Sequence, residues 1–253
     1  MARFQRYVGV HYAGRKGPEE RLRQIRVFVA LEDSPPYQAY NEADSDGGRW
    51  SRRELATWLL ALLGEADVPT ALGIDHAFSF PLTYLQRNHL TNWDQFLYDF
   101  EANVPTQEVG VRDLLPGNQR TGDPDEHRLT GDWTAFPKSV FSFDLQDSPA
   151  RAAYAGLPWL AYLRRSGDHV HFWPFDGFEV PEGASVVAET RPHRLRHRYS
   201  KEGLSDEDLD AYCVCAWLQD RDRLGLLGPY FAPPLSDEEK VRAKLEGWIL
   251  GVS

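Results

Sequence analysis

The segment 70–75, with the sequence TALGID, constrains the fold of this chain more than any other. It is short and almost wholly apolar, and it follows a segment with helical periodicity over 55–62. A strand that is buried on both faces has such a continuous apolar sequence, and strands of this kind occur in parallel sheets. The segment therefore predicts an α/β domain in which a helix leads into a buried parallel strand.

The helix in front of this strand carries signals at both ends. Ser51 and Glu54 have the spacing of a capping box, and Gly64 predicts the end of the helix. Two later helices are predicted from similar caps, one behind Ser205 and one behind Ser236.

A further helix is predicted over 148–165, although this segment holds both Gly156 and Pro158. Glycine is a weak helix former, and proline lacks an N–H group and clashes with the carbonyl four residues earlier. We therefore predict that this helix is interrupted at these two residues.

Four further segments have the composition of strands. Residues 7–12 and 24–32 are joined by a short charged loop and predict a hairpin. Residues 169–172 and 185–189 predict two more strands late in the chain. The segment 34–48 is rich in Pro, Asp and Gly and predicts a loop.

The pattern becomes irregular over 82–148. Within it, 93–101 predicts a helix and 117–132 predicts a polar loop. We interpret this region as an insertion or lid within a single domain that spans 1–253.

Composition limits the classes of function. The chain has 253 residues, of which 42% are hydrophobic, enough for one large domain with a real core. No apolar stretch approaches the roughly 18 residues of a membrane helix, and the first residues lack the pattern of a signal peptide. The only cysteines, Cys213 and Cys215, are too close together in the sequence to form a disulfide that would stabilise a secreted protein. We therefore expect a cytoplasmic protein that does not bind membranes.

The net charge of −10 argues against non-specific binding of nucleic acid through bulk charge. One local basic patch, RPHRLRHR over 191–198, stands out against the acidic background. Any binding of nucleic acid must therefore depend on this patch or on metal ions.

Three acidic residues stand out by position. Asp75 and Glu189 each end a buried strand, and Asp210 lies in the first turns of the helix behind Ser205. Each of them alone is commonly a turn, cap or solvated residue. Together they indicate a site, because ligands of open α/β sheets bind beyond the carboxyl ends of the strands. Such carboxylates suit Mg²⁺ or Mn²⁺, and two ions about 4 Å apart support phosphodiester cleavage.

Eight short motifs spread along nearly the whole chain carry a resemblance to a known family. They are YVGVHYAG at 7–14, GIDHAFSFP at 73–81, KSVFSFD at 138–144, AGLPWL at 155–160, HFWPFDGFEVPEG at 171–183, AETRP at 188–192, DAYCVCAWL at 210–218 and EGWILGV at 246–252. With them the chain resembles an uncharacterised bacterial family of predicted RNase H-like nucleases, related in pattern to Holliday-junction resolvases. The resemblance implies an RNase H-like mixed β-sheet flanked by helices, with Asp75, Glu189 and Asp210 at three of its acidic positions.

The chain departs from the family pattern at several polar positions. His11 stands where the family carries an aspartate that usually bridges two metal ions. A neutral imidazole can bind a metal but does not supply that negative charge. Leu209 replaces a histidine, and the segment 151–154 lacks the polar residues typical there.

Two hypotheses of different classes follow. The first is a metal-dependent nuclease or phosphodiesterase with Mg²⁺ or Mn²⁺ at the three acidic residues and with His11 as a further ligand or a positioning group. In it, phosphate is bound by three basic residues, Arg191, Arg194 and Lys138. The second is a catalytically degenerate binding or scaffold protein on the same fold, with a protein partner. It is favoured by His11, by Leu209 and by the many aromatic residues over 78–143.

Other enzyme classes find less support. A phosphotransferase of the actin-like ATPase type normally needs a duplicated domain and glycine-rich phosphate-binding hairpins, and the sequence has neither. It also lacks a Walker loop, a nucleophile elbow, a dinucleotide fingerprint and a zinc-protease motif.

Overall fold

The computed structural model describes residues 2–45, 47–134, 137–144, 149–167 and 169–252, and these form a mixed sheet flanked by helices. The strands of the described residues are β1 (Arg6–His11), β2 (Arg26–Leu31), β3 (Tyr37–Gln38), β4 (Thr70–Ile74), β5 (Val170–Trp173) and β6 (Ser185–Glu189). They lie side by side in the order β3-β2-β1-β4-β6-β5. The pairs β1–β2 and β2–β3 are antiparallel, whereas β1–β4, β4–β6 and β6–β5 are parallel.

The α-helices of the described residues are α1 (Arg52–Leu63), α2 (Leu82–Arg87), α3 (Trp93–Asn103), α4 (Val111–Leu114), α5 (Leu129–Asp132), α6 (Pro149–Ser166), α7 (Asp206–Arg223), α8 (Leu227–Phe231) and α9 (Asp237–Glu246). Two short 3₁₀ turns, Pro192–Arg194 and Arg196–Arg198, lie between β6 and α7. Within the described ranges, no helix combines the length and apolar character needed to cross a bilayer.

The helices form one hydrophobic core on each face of the sheet. Because side chains alternate along a strand, Val8 and Val10 of β1 pack with α1 and α6, whereas Tyr7 packs with α7 on the opposite face. All five residues of β4 are buried, which confirms the prediction of a strand covered on both faces. The parallel pairing predicted for this strand is confirmed by its pairing with β1 and β6, and the predicted hairpin is confirmed by the antiparallel pair β1–β2.

The predicted helix starts are also confirmed. Ser51 and Glu54 form a complete capping box at the start of α1, and Ser236 and Glu239 form another at the start of α9. The Ser205 side chain accepts a backbone hydrogen bond in the first turn of α7. Each cap satisfies backbone N–H groups that have no partner within the helix.

The predicted interruption of the helix over 148–165 is wrong, although Ser148 itself lies outside the described residues. Helix α6 runs without a break through Gly156 and Pro158. A proline deprives the carbonyl four residues earlier of its donor. Here that carbonyl, on Tyr154, accepts a 2.5 Å hydrogen bond from the Thr106 hydroxyl instead.

The segment 34–48 also differs from its prediction as a loop, because it holds the short strand β3. This edge strand has only two residues, too few for the alternation of apolar and polar residues that would predict it. The described part of 82–148 forms the short helices α2–α5. Around Phe80 it builds an aromatic cluster with Phe96, Phe100 and Phe141.

Strand β1 and helix α7 approach each other unusually closely at Gly9. A Cβ atom at this position would lie 2.1 Å from the carbonyl oxygen of Ala211 and 2.6 Å from the backbone nitrogen of Cys215. Any larger residue would therefore push α7 away from the sheet. This contact fixes the first turns of α7 beside the end of β1.

Candidate functional site

Three side chains that can bind a metal converge beyond the carboxyl ends of β1 and β4. Val10 pairs with Ile74 in parallel register, so the next residues along the two strands, His11 and Asp75, lie at the same level. The backbone N–H of Asp75 donates a 3.0 Å hydrogen bond to the carbonyl of Val10. Asp210 reaches the same place from α7, and one ligating atom from each of the three side chains lies within 4.8 Å of the others.

His11 is the centre of this group. Its Nδ1 atom lies 3.1 Å from Oδ2 of Asp75 and 3.4 Å from Oδ2 of Asp210. The exposed fractions of the three side chains are 20% for His11, 26% for Asp75 and 10% for Asp210. The group is therefore partly shielded but still accessible to a small solute.

His11 interacts electrostatically with both carboxylates of the group. Burial alone would lower the pKa of His11, but the hydrogen bond with Asp75 and the surrounding carboxylates outweigh burial and raise this pKa. Burial raises the pKa of Asp75, and the charge on Asp210 adds to the effect, whereas the contact with His11 opposes it. A protonated His11 bridging two carboxylates is the state that these interactions favour.

Asp210 has a second cationic partner, Arg196. The guanidinium donates from Nε to Oδ1 at 2.5 Å and from Nη2 to Oδ2 at 2.7 Å, which is a bidentate ion pair. The sequence indicated a basic patch here, but the spacing of Arg196 and Asp210 did not predict that they would pair. The pair holds the carboxylate in one orientation and offsets its charge.

Glu189 has a different environment from the one predicted for a metal ligand. It ends β6, opposite Ile74 of β4, but its carboxylate is not part of the converging group. Both of its oxygens bind the guanidinium of Arg128, and Oε2 also accepts a 3.0 Å hydrogen bond from the N–H of Phe78. A carboxylate buried this deeply needs such partners. A role of Glu189 in metal binding stays a prediction.

The sequence did not predict a buried position for Arg128, because this residue lies in the segment predicted as a polar loop. It is buried, and in addition to Glu189 it donates a 3.0 Å hydrogen bond to the carbonyl of Glu246. The sequence offers no periodicity or motif around Arg128 that would mark it as a core residue. Its position is set by tertiary contacts with β6 and the end of α9.

The three predicted phosphate-binding residues all act electrostatically on His193. Arg191 interacts electrostatically with Asp75, and burial is the main cause that lowers its pKa. Burial also lowers the pKa of His193, and the positive charges of Arg191, Arg194 and Lys138 lower it further. Lys138 and Arg191 also line one cavity. Arg191 thus follows β6 at the same edge of the sheet at which Asp75 follows β4.

The donor set is suited to a divalent transition ion. Two ligands bound side by side to one ion at about 2.1 Å lie about 3 Å apart, close to the separations measured around His11. Mg²⁺ prefers oxygen ligands, whereas an imidazole nitrogen favours a transition ion. Of the two ions predicted from the sequence, Mn²⁺ therefore fits better than Mg²⁺. Binding through Nδ1 requires a deprotonated ring, so metal and proton compete for His11.

Comparison with known proteins gives no relative. No family model matches the chain, and neither the curated proteins nor the solved structures contain a match.

Proposed function

We propose that the chain is a metal-dependent phosphodiesterase that acts on nucleic acid, built on an RNase H-like fold. The observation that carries the proposal is the convergence of His11, Asp75 and Asp210 within 4.8 Å, beside a group of basic residues. A metal ion next to cations that bind phosphate is the arrangement that phosphodiester cleavage requires. The mixed sheet flanked by helices, with acidic residues beyond neighbouring strand ends, is consistent with the RNase H-like resemblance.

In this proposal the ion is held by His11, Asp75 and Asp210. When bound, it supplies Lewis-acid stabilisation of the phosphoryl oxygens and lowers the pKa of a water molecule. Arg196 orients Asp210 through its bidentate contact. Three cations, Arg191, Arg194 and Lys138, bind phosphate oxygens of the substrate.

The first test is calorimetric titration of the full chain with Mn²⁺ and with Mg²⁺. We expect saturable Mn²⁺ binding that Asp75→Asn abolishes. Asp33→Asn is the matched control, because Asp33 is 85% exposed and lies outside the converging group. Absence of binding at millimolar Mn²⁺, or equal binding by both variants, would refute the proposal.

Activity is tested on single-stranded, double-stranded and branched DNA and RNA. We expect cleavage with Mn²⁺, none with chelator, and a loss of at least a hundredfold in Asp75→Asn, as for removal of a main charge-stabilising group. Assays of Asp33→Asn on the same substrates serve as the control for differences in purification and folding between the variants.

A second candidate, a degenerate binding protein, is favoured by one observation. Arg196 forms an ion pair with Asp210, and the ring of His11 contacts both Asp75 and Asp210, so the protein itself supplies partners for both carboxylates. Such a protein would bind no Mn²⁺ and would cleave none of the substrates. It would instead retain a protein partner through washing steps that remove non-specific binders, and Asp75→Asn would leave that association unchanged.

A further inference from the structure

A small cavity lies between the described part of 82–148 and the chain that leaves β6. Its volume is about 290 Å³, including the part that is open to solvent. Three cationic side chains, Arg128, Lys138 and Arg191, are among its lining residues, and none of the described residues that line it is an aspartate or a glutamate. We call it the basic cavity.

Two of the three cations of the basic cavity have no close counterion among the residues that the structure describes. The charge of Arg128 is offset by its ion pair with Glu189. Arg191 and Lys138, in contrast, form no ion pair within 4.0 Å with any other residue that the structure describes. A partly buried guanidinium without a close counterion is costly, and an anion that enters the cavity would lower that cost.

The size of the basic cavity limits what it can hold. The volume of about 290 Å³ already includes the part that is open to solvent, so the enclosed part of the cavity is smaller than the roughly 300–1,000 Å³ of sites for drug-sized ligands. A base and a sugar therefore have no room in it, and only a compact anionic group could enter from its open side. A planar guanidinium and a lysine ammonium together match the oxygens of a phosphate group.

The basic cavity adjoins the proposed metal site. The backbone N–H of Thr190 donates a 2.9 Å hydrogen bond to the carbonyl of Ile74, so Arg191, which lines the cavity, and Asp75 follow the ends of two neighbouring strands. A phosphate in the cavity would therefore lie beside the phosphodiester that the metal site cleaves. Because the cavity is small and partly enclosed, a phosphate within a continuous strand would fit it less well than a phosphate at a strand end.

We propose that the basic cavity binds a terminal phosphate monoester, so that the substrate is a phosphorylated end of a nucleic-acid strand. The substrate part of this inference rests on the proposed function. The binding of the phosphate group itself does not, since it requires only Arg191, Lys138 and the cavity.

The first experiment titrates inorganic phosphate into the full chain with chelator present and at constant ionic strength. We expect saturable binding that weakens about tenfold or more in Lys138→Gln and in Arg191→Gln, the loss typical of one charged hydrogen bond. Lys138 is exposed, so its variant should fold, and Lys201→Gln is a control with the same change at another exposed lysine. No binding by the wild type, or equal binding by all variants, would overturn the proposal.

The second experiment compares oligonucleotides that differ only in a terminal phosphate or hydroxyl, again without metal. We expect tighter binding of a phosphorylated end, and we expect Lys138→Gln to remove the difference. Equal affinity of both ends for the wild type would overturn the assignment to strand ends. Asp75→Asn should keep the phosphate binding, so a failure of the metal site is distinguished from a failure of the basic cavity.

Discussion

Arg128 and Glu189 form a bidentate ion pair that is almost completely excluded from solvent, although they are 61 residues apart in the sequence. It joins the segment before α5 to the end of β6. The attraction between two buried charges mainly offsets the free energy needed to remove them from water. Removing one partner therefore lowers stability more than replacing both partners with apolar residues.

We therefore predict that Glu189→Gln lowers the free energy of unfolding by about 3–5 kcal/mol, because it leaves the charge of Arg128 buried and unpaired. The double variant Arg128→Met/Glu189→Leu should lose less than this single change. Urea unfolding of the single and double variants measures both effects. A double variant that loses as much stability as Glu189→Gln, or more, would contradict this account.

His11→Asp tests whether a carboxylate can replace the imidazole. We predict lower stability of the metal-free protein, by about 1–2 kcal/mol, because three carboxylates would then lie together. Added Mg²⁺ should raise the melting temperature of this variant more than that of the wild type, since an all-oxygen site suits Mg²⁺. His11→Asn, which adds no charge, is the control and should gain no stabilisation from Mg²⁺.

The pH dependence of the free energy of unfolding should report the protonation of His76. Burial is the main cause that lowers its pKa to about 4 in the folded protein, from an ordinary value of 6.5. Between these values the unfolded chain binds the proton and the folded protein does not, so stability is full above 6.5 and falls as the pH drops towards 4. We predict a loss of roughly 2–4 kcal/mol across this range. Unfolding at several pH values measures it, and His76→Phe should flatten the curve.

Gly156 should not tolerate a side chain. A Cβ atom there would lie 2.3 Å from Nε2 of His76, in the middle of α6. We predict that Gly156→Ala destabilises the protein by about 1–3 kcal/mol despite the better helix propensity of alanine. Gly228→Ala in α8 is the control, because a Cβ atom there meets nothing within 4 Å. Thermal unfolding should show no loss for the control, and a smaller loss from Gly156→Ala when His76 is also truncated to alanine.

The sequence predicted those features that depend on neighbouring residues. The apolar segment over 70–75 predicted β4 and its parallel pairing, and Ser51 with Glu54 predicted the start of α1. Proximity of Asp75 and Asp210 was expected from their places after a strand and on a helix, and the two do meet around His11.

The features that the sequence did not predict depend on distant partners. Helix α6 continues past Pro158 because the hydroxyl of Thr106 satisfies the free carbonyl, and nothing near Pro158 indicates this. Glu189 has the expected strand-end position, but its carboxylate binds Arg128 from a segment without periodicity. Pairwise tertiary contacts of this kind leave no local pattern.

The close contact at Gly9 has a consequence for finding related proteins. Metal-binding residues can be exchanged for one another, because aspartate, glutamate and histidine side chains all bind metal ions. Gly9 cannot be replaced as easily, because the backbone of α7 occupies the space that a side chain would need. The same contact positions Asp210, which is next to Ala211 in α7. A search pattern centred on this glycine and the small residues of the facing helix should therefore detect distant relatives of this chain that a pattern of acidic residues overlooks.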